Sequence, residues 1–121
     1  MSFLTESQRK LTVWGAECFG AEHMADKKVR ALRLLEEAIE FAQSVGVPEG
    51  KCAELAAYVY SREPGIPVQE LGGIGVTWLV AADALNTSAE LALETEIARI
   101  SQKPPSHFTA RNQEKVEAGF R

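Results

Sequence analysis

Three carboxylates lie within five residues, at Glu36, Glu37 and Glu40, in a segment with strong helical character. Each residue of an α-helix advances by about 100°, so residues three and four positions apart project from one face. We therefore expect the three side chains to share one arc of a helix over residues 29–44, opposite its apolar half. Carboxylate oxygens are the ligands that Mg²⁺ prefers in proteins. The cluster is either a magnesium site or a solvated polar face.

A fourth carboxylate, Glu70, stands in the first turns of a later helix that is predicted to begin at Pro67. Gly72, Gly73 and Gly75 follow it, and each glycine lowers helix stability by up to about 1 kcal/mol relative to alanine. A stripe of small residues on this helix would allow another helix to approach closely. Tight helix packing explains the glycines, but it does not explain a carboxylate at the head of the stripe.

Side chains that suit a phosphate group occur towards the C-terminal end of the chain. The candidates for binding such a substrate are Lys103, Arg111 and Asn112, with His107 and Lys115 as further polar side chains. Lysine and arginine bind phosphate through charge-assisted hydrogen bonds. The same residue types are also typical of a solvent-exposed surface, so both interpretations stay open.

These residues are predicted to lie on helices alone, because no strand-like alternation of useful length occurs in the chain. Capping boxes, prolines and glycines mark the helix ends. The expected fold class is all-α, a helical bundle of four to five helices. We expect helices over about 5–18, 21–45, 48–61, 67–85 and 88–101, followed by a short one around Thr109–Glu117.

Length and composition narrow the classes of function. A chain of 121 residues is expected to form one domain, residues 1–121. Its net charge of −4 argues against a nucleic-acid partner, which would normally require a basic face. The longest apolar run, residues 74–82, is too short to span a bilayer, so no membrane partner is expected. Two distant cysteines, Cys18 and Cys52, suggest neither a disulfide framework nor a zinc site, and favour a cytoplasmic location.

Four segments of the chain resemble those of a known family: RLLEEAIE at Arg33–Glu40, YVYSR at Tyr58–Arg62, QELGG at Gln69–Gly73 and EIAR at Glu96–Arg99. With them the chain resembles the MazG-like, all-α nucleoside triphosphate pyrophosphohydrolases, and within them the small MazG-related proteins of phages and bacteria. The resemblance extends over about residues 14–103 and leaves residues 104–121 as a polar tail. It implies a helical domain that forms a homodimer or homotetramer. It further implies Mg²⁺-dependent hydrolysis of a nucleoside triphosphate to a monophosphate and pyrophosphate.

The resemblance also implies roles for the four carboxylates. Glu37, Glu40 and Glu70 are expected to bind the metal, while Glu36 either shares a metal or orients and deprotonates the attacking water. The family's second motif is Glu-x-x-Asp, and Gly73 stands where the Asp would be. The alternative function is therefore a catalytically weak or inactive module that binds nucleotide or metal. A third possibility is a structural helical oligomer with a solvated acidic face.

Overall fold

The computed structural model describes residues 1–121 and confirms the all-α class, with seven helices and no strand. The chain divides into two compact units, Met1–Glu49 with Pro104–Arg121 and Gly50–Lys103. The helices are α1 (Phe3–Phe19), α2 (Ala21–Ala25), α3 (Lys27–Ser44), α4 (Glu49–Tyr60), α5 (Pro67–Ala84), α6 (Ala89–Ser101) and α7 (Pro105–Glu117).

Helix α1 begins at Phe3, two residues earlier than its sequence pattern suggested. The Ser2 side chain caps it by accepting a hydrogen bond of 3.2 Å from the Thr5 backbone N–H. Thr5, expected to open the helix through a capping box, therefore lies inside the first turn. The helix ends as expected at Gly20, whose φ of +84° favours glycine.

The long helix expected over residues 21–45 is divided into α2 and α3 at Asp26, so that prediction was wrong. Asp26 has an extended backbone, and its carboxylate accepts hydrogen bonds from the N–H groups of Lys28 (3.1 Å) and Val29 (3.2 Å). A side chain that satisfies two free N–H groups starts a new helix at this point. The break turns Val29 into the interior, where it is fully buried.

The core of the first unit forms where α1 meets α7. Trp14 of α1 contacts the Phe108 ring edge to face, with a centroid distance of 5.1 Å. The Thr109 hydroxyl donates a hydrogen bond of 2.6 Å to the backbone carbonyl of Cys18, whose side chain is buried. Apolar packing and a hydrogen bond to an otherwise free helix-end carbonyl thus fix α7 against α1.

Helix α7 starts four residues earlier than the short helix expected around Thr109–Glu117. Pro105 occupies its first turn, where a missing N–H costs nothing because that group would have no helical partner. Residues 104–121, expected as a polar tail, therefore belong to the first unit and contain the complete helix α7.

In the second unit, α5 and α6 pack against each other through a tight turn. Ala82 and Ala89 are buried on either side of it, and Asn86 has a φ of +56°. The helix starts close to Ser88, as expected, but its cap is Ser88 and not Thr87 of the capping-box pattern: the Ser88 hydroxyl accepts a hydrogen bond of 3.2 Å from the Leu91 N–H.

Helix α5 is almost entirely apolar, and its large apolar side chains are exposed on every side. Its 18 residues contain only two charged ones, Glu70 and Asp83. No helix of the chain is both long enough and apolar enough to cross a bilayer. The exposed apolar residues of α5 include Val68, Leu71, Val76, Leu79 and Val80.

Candidate functional site

A groove of about 470 Å³ lies between α3 and α7 in the first unit, and we call it the α3–α7 groove. Its lining residues on α3 recur every three to four positions, and so do those on α7, so each helix contributes one face. The groove is within the usual size range of small-molecule sites. Its apolar part is formed by Leu32, Leu35, Ile39, Ala118 and Phe120.

The charged part of the groove is balanced. Three carboxylates and three cationic side chains line it, so their formal charges cancel. The carboxylates come from both helices, as do the cations. They are Glu36, Glu40 and Glu114, and Arg33, Arg111 and Lys115.

Glu36 and Lys115 connect the two helices through an ion pair. The Lys115 Nζ lies 3.0 Å from Glu36 Oε1, and the two side chains are 29% and 34% exposed. Partial burial reduces screening by water and salt, so such a pair is stronger than a fully exposed one. Glu40, one turn further along α3, lines the same groove but is not part of this pair.

Arg33 fixes α7 and the C-terminal residues to α3. Its guanidinium donates hydrogen bonds to the Phe120 carbonyl (2.8 Å) and to Asn112 Oδ1 (2.9 Å). Because a guanidinium can only donate, the Asn112 oxygen must face Arg33 and its NH₂ group must face away. That NH₂ group donates to His23 Nε2 at 3.1 Å. Both ends of the Asn112 amide are thus engaged within the protein.

One turn before Arg33, Arg30 occupies a less polar environment. Its guanidinium carbon lies 5.9 Å from the centre of the Phe19 ring, and its Nε is buried without a hydrogen-bond partner. Burial lowers the pKa of Arg30, and the charge of Arg33 lowers it further, while Asp26 opposes the shift. The lowering by Arg33 shows that the two guanidinium charges, one turn apart on α3, repel each other.

The structure brings together four of the residues that the sequence suggested for the site. Glu36, Glu40, Arg111 and Lys115 all line the α3–α7 groove. Glu37, although on the same helix, is not part of the lining. Asn112 lies behind the groove in the hydrogen bonds between Arg33 and His23.

Glu70 and Lys103 belong to the second unit. Glu70 lies in the first turn of α5, where the positive end of the helix dipole favours a carboxylate. Its side chain folds back over Gly65, so that any Cβ at Gly65 would collide with the carboxylate. Lys103 follows α6, and its charge helps to lower the pKa of Glu96.

The donor set in the groove suits only one mode of magnesium binding. No three or more His, Cys, Asp or Glu side chains converge into a group that could hold a metal ion. Mg²⁺ at phosphate sites is commonly held by one or two carboxylates, with phosphate oxygens and water completing its coordination. Glu36 and Glu40 therefore do not form a magnesium site by themselves, and Glu36 is already paired with Lys115; a cation here would need phosphate oxygens as further ligands.

Sequence reasoning missed the apolar part of the groove and the carboxylate of Glu114. The spacing of Arg111, Lys115 and Ala118 does signal a shared helix face. No local pattern, however, indicates that this face lies opposite α3, because the contact depends on long side chains from distant parts of the chain. The C-terminal Phe120 has no periodic pattern at all that would mark it as lining a site.

Comparison with known proteins does not assign a function to the α3–α7 groove. No family model, curated protein or solved structure matches the chain.

Proposed function

We propose that the protein is a Mg²⁺-dependent nucleoside triphosphate diphosphatase that hydrolyses ribo- or deoxynucleoside triphosphates to monophosphates and pyrophosphate. The observation that supports this most directly is the α3–α7 groove. There Glu36 and Glu40 line the same groove as Arg111 and Lys115, next to an apolar surface. A metal-bound nucleotide has matching parts, because it combines a cation, anionic phosphates and an apolar base.

The proposed roles follow from the charges of the reaction. A triphosphate carries about four negative charges at neutral pH, which must be neutralised before water can attack phosphorus. Magnesium, when bound, supplies this neutralisation and stabilises the leaving group. Glu37, Glu40 and Glu70 are the proposed metal ligands, as the resemblance implies. Glu36 is proposed either to share the metal or to orient and deprotonate the attacking water.

The proposed substrate-binding residues are Lys103, Arg111 and Asn112. Arg111 has the strongest support, because it lines the groove and forms no ion pair with a carboxylate of the chain. A guanidinium can bind two phosphate oxygens at once through parallel hydrogen bonds. Asn112 would have to give up a bond to Arg33 or His23 to reach a ligand.

A second candidate function is a binding module that holds nucleotide or metal but turns over slowly or not at all. Gly73 favours it, because glycine supplies no ligand where the related motif has an aspartate.

We also propose that the protein acts as a homodimer or homotetramer, which the exposed apolar residues of α5 support. A cytoplasmic location is proposed because Cys18 and Cys52 are both free thiols.

The deciding experiment incubates the purified protein with a panel of ribo- and deoxynucleoside triphosphates, with and without Mg²⁺. Joint, magnesium-dependent release of monophosphate and pyrophosphate is expected for the diphosphatase. Nucleotide binding without release would identify the binding module. Absence of both binding and release would exclude both proposals and leave a structural oligomer.

The assignment of the site is tested by Glu40→Gln, which removes the charge but keeps the shape of the side chain. Turnover should fall by at least about a hundredfold, as for other removed catalytic contacts, while the circular dichroism spectrum stays helical. Glu54→Gln is the control, because Glu54 is an exposed carboxylate paired with Lys51 on α4. Equal activity of the two variants would contradict the assignment of Glu40 to the catalytic site.

A further inference from the structure

Two consecutive hydrogen bonds connect α3, α7 and α2 in the first unit. Arg33 of α3 donates to Asn112 Oδ1 of α7 at 2.9 Å, and Asn112 Nδ2 lies 3.1 Å from His23 Nε2 of α2. Asn112 and His23 are both half-buried, and 89 residues separate them in the chain. The Asn112 amide is therefore the tertiary link between α7 and each of the two other helices.

The guanidinium of Arg33 fixes the direction of both bonds. It has only donors and stays charged, so Asn112 must offer its oxygen to Arg33 and its NH₂ group to His23. The His23 nitrogen that accepts this N–H must carry a lone pair. While both bonds exist, His23 is therefore neutral, with its proton on Nδ1.

No rotation of a side chain restores both bonds after His23 is protonated. Both ring nitrogens of an imidazolium are donors, so turning the ring only exchanges one N–H for the other. Turning the Asn112 amide would offer its oxygen to His23, but its NH₂ group would then face the donors of Arg33. One of the two bonds is lost in either case.

Cationic groups on α3 add to this effect. The Phe19 ring of α1 contacts the His23 ring at a centroid distance of 6.0 Å, and the guanidinium of Arg30 lies 5.9 Å from the same Phe19 ring. Arg30 and Arg33 already repel each other, which helps to lower the pKa of Arg30. An imidazolium at His23 would add a third positive charge to this part of the first unit.

The other charged groups around His23 have their own surroundings. On α7, the cations that neighbour Asn112 line the α3–α7 groove; they are Arg111 and Lys115. Asp26 accepts hydrogen bonds from two backbone N–H groups of α3. The remaining carboxylates on α1 and α2 close to His23 in sequence are exposed to solvent; they are Glu17 and Glu22. None of the ion pairs Arg9–Glu6, Lys51–Glu54, Arg99–Glu96 and Lys115–Glu36 includes His23.

We infer that His23 and Asn112 form a proton-sensitive lock, which holds α2 and α3 to α7 only while His23 is neutral. Histidine is the side chain that ordinarily changes its charge between about pH 5 and 8. Because the complete lock requires the neutral imidazole, its stabilisation is present at the upper end of this interval and is lost as the pH falls through the titration of His23. Opening frees one end of the Asn112 amide behind the groove. The inference requires no ligand and does not depend on the proposed function.

The first test is a long-range ¹H–¹⁵N NMR spectrum of the unmodified full-length protein at about pH 8. His23 should show a protonated Nδ1 and a bare Nε2, and the Asn112 NH₂ resonances should shift as His23 titrates. His107, whose ring contacts Phe108 and lies outside the lock, is the internal reference. A proton on His23 Nε2 at this pH would overturn the inference, because the Asn112 NH₂ group would then have no acceptor.

The second test compares the fall in Tm from about pH 8 to about pH 5.5, measured by circular dichroism, in the unmodified protein and two variants. His23→Gln keeps an acceptor for Asn112 that does not titrate, so its Tm should fall by about 3 °C less than that of the unmodified protein. Asn112→Asp should also fall less, because a carboxylate accepts from Arg33 and from protonated His23 alike. His107 is present in all three proteins, so its titration cancels. An equal fall in all three would overturn the inference.

Discussion

The reactivity of the Cys18 thiol is controlled by its surroundings. Its side chain is only 3% exposed, at the end of α1 where Thr109 of α7 bonds to its carbonyl. Burial raises the pKa of the Cys18 thiol, and the negative charge of Glu17 adds to the shift. Because the thiolate is the reactive form of cysteine, Cys18 is doubly protected, by lack of access and by protonation.

We predict that Cys52 reacts first with a thiol reagent such as Ellman's reagent. Cys52 is only partly buried, so its thiol is more accessible than that of Cys18. In the Cys52→Ser variant, the remaining Cys18 should react at least about tenfold more slowly in native protein than in denaturant. Rapid reaction of Cys18 under native conditions would show that α7 does not stay packed on α1.

A second prediction at the residue scale concerns Gly73, which stands where the related motif has a metal-binding aspartate. A Cβ at this position would meet no other atom within 4 Å, so Gly73→Asp introduces no clash. Aspartate is also slightly better than glycine in a helix, by a few tenths of a kcal/mol. The new carboxylate would lie on the same face of α5 as Glu70, three residues earlier.

Gly73→Asp should therefore bind Mg²⁺ more tightly than the unmodified protein, as measured by calorimetry. Gly50→Asp is the matched control, because Gly50 is also helical and also has open space around its Cβ position. If both variants bind Mg²⁺ equally, the gain reflects added charge only, and Glu70 with residue 73 does not form a metal site.

At the scale of helices, α6 provides a prediction about pH. Glu96 and Arg99 form two hydrogen bonds, Nε to Oε1 at 2.8 Å and a terminal nitrogen to Oε2 at 2.6 Å. The hydrogen bond and the charge of Arg99 lower the pKa of Glu96, while partial burial opposes the shift. A lowered folded-state pKa stabilises the protein above the ordinary pKa of glutamate, and this stabilisation is lost as the pH falls through the lowered value.

The Glu96 carboxylate should accordingly titrate below the usual glutamate range in an NMR pH titration. In Arg99→Gln, its midpoint should move up towards that range. Both side chains are more than half exposed, so the stabilisation lost is at most about 0.5 kcal/mol after screening by solvent. An unchanged midpoint in Arg99→Gln would mean that the ion pair does not persist in solution.

The helices also show which features could be read from sequence. The end at Gly20, the proline start at Pro67 and the start of α6 close to Ser88 were predictable, because each depends on a few residues and their immediate backbone. The break at Asp26 was not predicted, because the helical pattern continues through it. Its carboxylate caps α3 all the same, and this allows Val29 to enter the core.

The candidate site could be predicted only in part, for a related reason. The shared helix of Glu36 and Glu40 follows from their spacing, as does the shared face of Arg111 and Lys115. That these two faces border one groove depends on tertiary contacts such as the one between Arg33 and Asn112, which lie 79 residues apart. Single-sequence periodicity contains no information about contacts of this range.

At the scale of the whole molecule, the fold of a single chain does not explain why the apolar side chains of α5 are exposed. A helix that is apolar on all sides is normally buried, yet its large side chains here are exposed. The glycine positions Gly72, Gly73 and Gly75 have open space where a Cβ would be, so no part of the chain packs closely on them. Both observations favour a second copy of the chain that covers α5, where glycines allow close helix contact.

Leu79→Lys should weaken this association, because it places a charge where an apolar side chain is expected to be buried. Leu4→Lys is a closely matched control, since Leu4 of α1 and Leu79 of α5 are both 57% exposed in the single chain. Burying one leucine contributes about 1.5–3 kcal/mol, so Leu79→Lys should weaken association by at least tenfold. Light scattering after gel filtration should therefore show dimers or tetramers for the unmodified protein and Leu4→Lys, but smaller species for Leu79→Lys. If the unmodified protein is monomeric, or if both variants keep its mass, α5 is not the surface through which copies of this chain associate.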